Sequence, residues 1–335
     1  MAKLRTEGKL SSDEQIESEG HNVSSGTADT VPGAAKTDGD VGKTLRDNTT
    51  TMDDRQDRRL GVIKVGRIRD YTYFNSTLQR HLRDRETYAT LLEFSAHNEP
   101  RSHFKEAALA AWHVDRHPKP IVSLLDGPAC SPMLGLAVHG THAVAGELFT
   151  FCTPDIRNSD TPHAGLSLIL ARLPGHLGLY LALSGRPIDR ALAYRVGLVT
   201  HCVEASLFAE IRERLAEADP VDDVLDGLHR DPGRSPLDPY LPTIDACFAA
   251  PSAEDIVARL ETVTGPEAAW AHALAEDVAG LSAATLDATF NMLTDNPPQT
   301  LRAALTLEYR VAMARAGLPG AELDLPPEPQ APSIF

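Results

Sequence analysis

Lys119-Pro120-Ile121-Val122-Ser123-Leu124-Leu125-Asp126-Gly127, followed by Gly135-Leu136-Ala137-Val138-His139-Gly140, is the stretch that decides the fold. Pro120 to Asp126 is a continuous apolar run of strand length, as expected of a strand buried on both faces of a parallel sheet. Leu134 to Gly140 reads as helix. Working outward, Gly61 to Val65 alternates like a strand, Phe74 to Arg85 like a helix, and Thr87 to Phe94 like a second strand. Phe104 to Val114 is an alanine-rich helix and Leu148 to Cys152 a short strand. Strand and helix alternate, which predicts an α/β domain. From Ser167 onward the apolar spacing is helical, broken by one short strand over Val196 to Val203 and a proline-rich loop from Asp231 to Pro242.

The flanks read differently. Residues 1–60 contain no Phe, Trp or Tyr and are rich in Ser, Thr, Gly, Asp and Glu. They are expected to be disordered unless a partner orders them, since such a segment buries too little apolar area to offset its ordering entropy. Asp13, Glu14, Glu17 and Glu19 arrive too early for a typical targeting peptide. Gly317 to Phe335 is rich in proline and has no periodicity, so it reads as a tail. The expected division is thus an extension over 1–60, an α/β core over 61–200, a helical region over 201–316 and a tail over 317–335.

The net charge is −15, and it is carried entirely by residues 203–335, where 8 basic side chains face 23 acidic ones. A broad nucleic-acid-binding face needs clustered Lys and Arg, and this third of the chain would repel phosphate. No apolar run approaches the roughly 20 residues of a membrane-spanning helix. The four cysteines, Cys130, Cys152, Cys202 and Cys247, form no CxxC pair, so neither a zinc module nor a disulfide framework is expected and a reducing compartment fits. His113 and His117 have the i, i+4 spacing of metal ligands, but no further ligand accompanies them and Pro118 ends the helix; they read as a surface pair, with no metal and no cofactor expected.

Four blocks together resemble the enoyl-CoA hydratase/isomerase (crotonase) superfamily, and within it the 3-hydroxyisobutyryl-CoA hydrolase branch. They are the 119–127 and 135–140 segments; Leu181-Ala182-Leu183-Ser184-Gly185 with Ala193 to Val203; Ile244 to Phe248; and Leu307-Glu308-Tyr309-Arg310. The match runs from about residue 61 to 315. It implies a crotonase-type α/β fold, a spiral of β-β-α units with helical C-terminal layers.

The chemistry implied by that resemblance needs a thioester carbonyl held by two backbone N–H groups, with carboxylates handling water and hydroxyl. One N–H comes from a glycine-containing loop that corresponds to Phe94-Ser95-Ala96-His97-Asn98-Glu99-Pro100, where the glycines are absent. The other comes from the middle residue of a glycine triplet, which corresponds to Ser131-Pro132-Met133. Proline has no N–H to offer. A substrate-facing glutamate corresponds to Ala107, a catalytic glutamate to Asp155 and a catalytic aspartate to His163. Ala107 and Pro132 are therefore the substrate-binding positions and Asp155 and His163 the catalytic ones, each changed from the family pattern. The family's continuation after its Glu-Tyr-Arg helix is replaced here by Gly317-Leu318-Pro319-Gly320.

Two readings follow. One is a hydrolase-like pseudo-enzyme that serves a larger assembly. The resemblance supplies a precedent in hydrolase-like proteins of the mitochondrial ribosome's small subunit, which implies ribosomal protein partners, limited local rRNA contact and a mitochondrial location. The other is an active 3-hydroxyisobutyryl-CoA hydrolase, in which Asp155 and His163 form a rebuilt acid/base pair. If the pocket survives without the chemistry, acyl-CoA is a ligand only. No membrane is expected as a partner.

Overall fold

The computed structural model describes residues 54–65, 71–94, 104–130 and 133–327. The first strands and helices are β1 (Asp54–Asp57), β2 (Leu60–Val65), α1 (Tyr71–Arg83), β3 (Ala89–Phe94), α2 (Phe104–Asp115), β4 (Ile121–Leu125), β5 (Pro128–Cys130), α3 (Met133–His139), β6 (His142–Ala145) and β7 (Thr150–Cys152). After a 3-10 turn over Pro154–Asn158 come α4 (Leu166–Ala171), α5 (Leu177–Ser184), β8 (Ile188–Asp189), α6 (Arg190–Arg195) and β9 (His201–Cys202). The remaining helices are α7 (Phe208–Ala216), α8 (Val221–Leu228), α9 (Leu241–Phe248), α10 (Ala253–Glu261), α11 (Ala268–Ala279), α12 (Ala283–Thr294) and α13 (Leu301–Arg315). Among the described residues no helix is long and apolar enough to cross a membrane.

Strand order in the main sheet is β1-β2-β3-β4-β6-β9, parallel except for β1. All five residues of β4 are buried, which is what its unbroken apolar run demands of a sheet covered on both sides. Alternate residues divide between the two faces. Ile63, Leu92 and Ile121 pack with Phe74 and Leu78 of α1, Ala108 of α2 and Leu305 of α13. Their neighbours Val62, Leu91 and Val122 pack with Ile211 and Leu215 of α7 and Val224 and Leu225 of α8. A second, three-stranded sheet, β5-β7-β8, joins α4, α5 and α9 to α12 in a third apolar cluster.

Several expectations are corrected. β1 and the buried Leu60 lie inside the stretch read as disordered, because β1 pairs antiparallel with β2; residues 1–53 lie outside the described part. The strand expected over Val196 to Val203 shrinks to His201–Cys202, and Val196, Gly197 and Leu198 instead close the turn after α6 by bonding back to Leu192, Tyr194 and Ala193. β9 then returns to the main sheet beside β6. The start of the C-terminal tail is docked: Leu325 is buried among α2 and α13 residues, and the Arg302 guanidinium bonds the carbonyls of Leu325 and Pro326.

His81 of α1 is buried against Gly61, where an added Cβ would fall 2.4 Å from its Nδ1. Burial foremost, helped by Arg80, lowers its pKa to about 4. The folded state therefore favours the neutral ring, so stability from this group is present above pH 6.5 and is lost as pH falls towards 4. His81→Gln is expected to remove up to about 3 kcal/mol of that acid loss, read from urea midpoints between pH 7 and 4.

Candidate functional site

Ala107, Asp155 and His163 fall around the loop that leads from the Pro154–Asn158 turn into α4. Ala107 sits on α2, 2% exposed, in an apolar cluster with Ala164, Leu168, Leu301 and Ala304. His163 is half-buried, with its ring edge-on to Phe104 at a centroid distance of 5.4 Å. Phe104 is three residues before Ala107 and thus on the same side of α2. The structure therefore brings His163 and Ala107 to one place. Asp155 lies in the 3-10 turn, and Pro132 lies outside the described residues. His163 Nδ1–H donates to the carbonyl of Thr161, 3.1 Å away, so that nitrogen is occupied within its own loop.

The loop is held in a costly conformation. Ala164 has φ 57°, a left-handed value that penalises any side chain beyond glycine, and Gly165 follows at φ 86°. His139 of α3 donates Nε2–H to the Ala164 carbonyl at 3.0 Å. Gly135, one turn earlier on α3, leaves room for the same carbonyl; a Cβ there would lie 2.5 Å from it. Burial foremost holds the His139 pKa below its usual value, with Asp115 and the Ala164 carbonyl opposing.

Glu308 of α13 completes the clamp. Its two carboxylate oxygens accept the backbone N–H groups of Gly165 and Ser167, each at 2.7 Å, satisfying donors that the first turn of a helix leaves without partners. The side chain is 2% exposed, and burial pushes its pKa up to about 7, against the lowering effects of Ser167, the two N–H groups and His163. Two turns further along α13, Arg315 donates to the Ser159 carbonyl at 2.9 Å, where Ser159 also has a left-handed φ of 58°. One helix thus pins both ends of the loop. Glu308, Arg315 and His139 were not identified as site residues from the sequence, although Gly135, His139 and Glu308 all lie inside the blocks that carried the resemblance.

Other residues singled out in the sequence lie elsewhere on the molecule. His117 is buried rather than at the surface and bonds the Lys119 carbonyl, while His113 bonds Asn75. Among the described residues no three His, Cys, Asp or Glu side chains are grouped to hold a metal ion. The absence of disulfides expected from cysteine spacing does not hold, because Cys152 is disulfide-bonded. Two surface clefts, one of about 840 Å³ between the ends of α12 and α13 and one of about 580 Å³ beside His176 and Asp245, are lined by neither Ala107, His163 nor Glu308.

The profile of the enoyl-CoA hydratase/isomerase family matches residues 85–318, which include Ala107, the His163 loop and Glu308. The chain belongs to the enoyl-CoA hydratase/isomerase family. Within that family it is 30% identical over 221 residues to the mitochondrial 3-hydroxyisobutyryl-CoA hydrolase of Xenopus tropicalis, covering 63% of this chain and 57% of that protein. The Homo sapiens protein of the same name is 29% identical over 221 residues, covering 63% and 56%. The chain thus spans a little over half the length of these relatives. In fold it is similar to a carnitinyl-CoA dehydratase from Mycobacterium thermoresistibile, with a TM-score of 0.73, 24% identity and coverage of 82% of this chain and 88% of that one. An enoyl-CoA hydratase from Rhodobacter sphaeroides 2.4.1 gives 0.69, 23%, 79% and 86%. The likeness to these two structures is one of fold.

Proposed function

We propose that this member of the enoyl-CoA hydratase/isomerase family works as a hydrolase-like pseudo-enzyme, a structural or assembly component of a larger complex. Pro132 carries this reading: a residue without an N–H stands where the family's second oxyanion donor belongs, and one such donor is worth about 3–4 kcal/mol of transition-state stabilisation. The remaining positions support it. Ala107 brings no carboxylate, and the Nδ1–H of His163 is committed to Thr161. The complex proposed is the small subunit of the mitochondrial ribosome, reached through the polar N-terminal segment; the mitochondrial names of the matched hydrolases support that compartment.

A second reading, hydrolysis of 3-hydroxyisobutyryl-CoA as in the names of those relatives, is favoured by one observation. Burial raises the pKa of Glu308 to about 7, with His163 near enough to act on its charge, and a perturbed carboxyl beside a histidine is a common mark of acid/base sites. One assay separates the two. The purified full chain is expected to release CoA from 3-hydroxyisobutyryl-CoA no faster than its Asp155→Asn/His163→Ala double variant. Turnover that falls tenfold or more in the double variant overturns the pseudo-enzyme reading. Sedimentation of native lysate tests the assembly: the chain is expected with the small ribosomal subunit at moderate salt, and its confinement to light fractions removes that partner.

A further inference from the structure

Past α13 the chain forms no further helix or strand, yet its burial alternates. Glu322 and Asp324 are exposed, Leu323 is half-buried and Leu325 is buried. A period of two belongs to an extended segment with one side against the protein. Leu325 joins the apolar cluster that contains Trp112 of α2 and Leu301, Ala304 and Leu305 of α13, and Leu323 packs against the same cluster. The Arg302 guanidinium donates to the carbonyls of Leu325 and Pro326. It also lies over the Trp112 ring, 4.5 Å from its centroid, so stacking fixes the plane of the donor fork.

The backbone does little to hold this segment. Among the described residues, the last backbone–backbone hydrogen bond runs from the Leu318 N–H to the Met313 carbonyl, and Pro326 and Pro327 have no N–H to give. Two leucine anchors, one arginine and an extended proline-bearing backbone make up a short recognition element. Aromatic-lined grooves that take extended proline-rich peptides combine the same parts. We infer that the seam between α2 and α13 is a docking site for a partner protein's extended Leu-x-Leu-Pro segment. The chain's own Leu323 to Pro327 occupies it in cis until the partner displaces them.

The cis segment states the chemistry of that partner: two leucines two positions apart that enter the cluster, and carbonyls after the second leucine that accept from Arg302. A second copy of this chain fits less well. Its identical tail would compete with a cis segment whose short tether gives an effective concentration of about a millimolar, whereas a partner anchored elsewhere in an assembly overcomes that advantage. A seam occupied in cis about nine parts in ten weakens the partner's apparent affinity about tenfold. Only the assembly role of the partner rests on the proposed function. The seam and its occupant stand apart from it.

The test uses the full chain and a fluorescein-labelled peptide with the sequence of Leu318 to Pro327, read by anisotropy. Leu323→Ser/Leu325→Ser clears the seam without altering α2 or α13 and should bind the peptide at least about tenfold tighter than wild type. Adding Arg302→Ala should weaken that binding about tenfold or more. Equal binding by wild type and the double variant, no binding by the double variant, or binding indifferent to Arg302→Ala overturns the docking site. A second measurement needs no variant. With a benzophenone in place of its Leu323 side chain, the peptide should cross-link wild type within Phe104–Asp115 or Leu301–Arg315. Adducts confined to other segments overturn the site as well. Self-association of wild type that the double variant abolishes assigns the seam to a second copy and overturns the choice of partner. CoA release by a chain that binds the peptide in this way removes the pseudo-enzyme reading and leaves the docking site standing.

Discussion

Glu308→Ala should lower unfolding stability by about 3–5 kcal/mol at pH 5, measured by urea denaturation. The loss has two sources. The N–H groups of Gly165 and Ser167 lose their acceptors in a buried place, at roughly 1–3 kcal/mol for each unsatisfied donor, and the deleted atoms leave a cavity. The loop with left-handed Ala164 and Gly165 also loses one of its two links to α13, keeping only that of Arg315 to Ser159. Glu308→Gln should behave differently, because the amide keeps an acceptor and cannot ionise. The folded-state pKa of about 7 lies above the ordinary 4.5, so the folded chain favours the protonated acid. Stability from this group is complete below pH 4.5 and declines as pH rises through 7. The stability of Glu308→Gln relative to wild type should therefore rise by about 3 kcal/mol between pH 4 and pH 8. A difference independent of pH would mean that the carboxylate is not perturbed by burial.

Gly178→Ala should cost about 3 kcal/mol or more, read in the same urea series. Gly178 is the second residue of α5, where a Cβ would fall 1.9 Å from the carbonyl oxygen of Leu170 in α4. The carbonyl belongs to the backbone and a Cβ is fixed in place by it, so no rotamer relieves the overlap; α4 and α5 must separate. These helices carry Leu166, Leu170, Leu179, Leu181 and Leu183 into the cluster around the second sheet, and a shift opens gaps that overpacking penalties of about 1–3 kcal/mol describe only in part. Gly227 provides the control. It is exposed on α8, nothing lies within 4 Å of an added Cβ, and its φ is not left-handed. Gly227→Ala should therefore stabilise by a few tenths to about 1 kcal/mol through helix propensity. Similar losses at both positions would show that close approach is not what selects glycine at Gly178.

Much of the main sheet could be read directly. The Ile121–Leu125 run is buried along its whole length, and period-two alternation in β2 and β3 sends neighbouring residues to opposite apolar clusters. Such runs are legible because each strand must be apolar on both faces, whatever its partners. Of the second sheet only β7 was legible, inside the strand read over Leu148 to Cys152. Its strands have only three, three and two residues, too short for a periodic signal. Leu325 is likewise invisible as a core residue in a stretch without periodicity, because its burial depends on α2 and α13 being already in place.

The site divides in the same way. Residue types alone determine that Pro132 cannot donate a backbone hydrogen bond and that Ala107 and His163 cannot supply the carboxylates of the family pattern. Those statements hold in any conformation. Only the tertiary structure decides that Glu308, 143 residues from Gly165 in the chain, closes on its N–H. Only it sets Cys130 across from Cys152. Both depend on long-range placement of backbone atoms, and a buried carboxylate acquires its altered proton affinity only once the surrounding helices have excluded water.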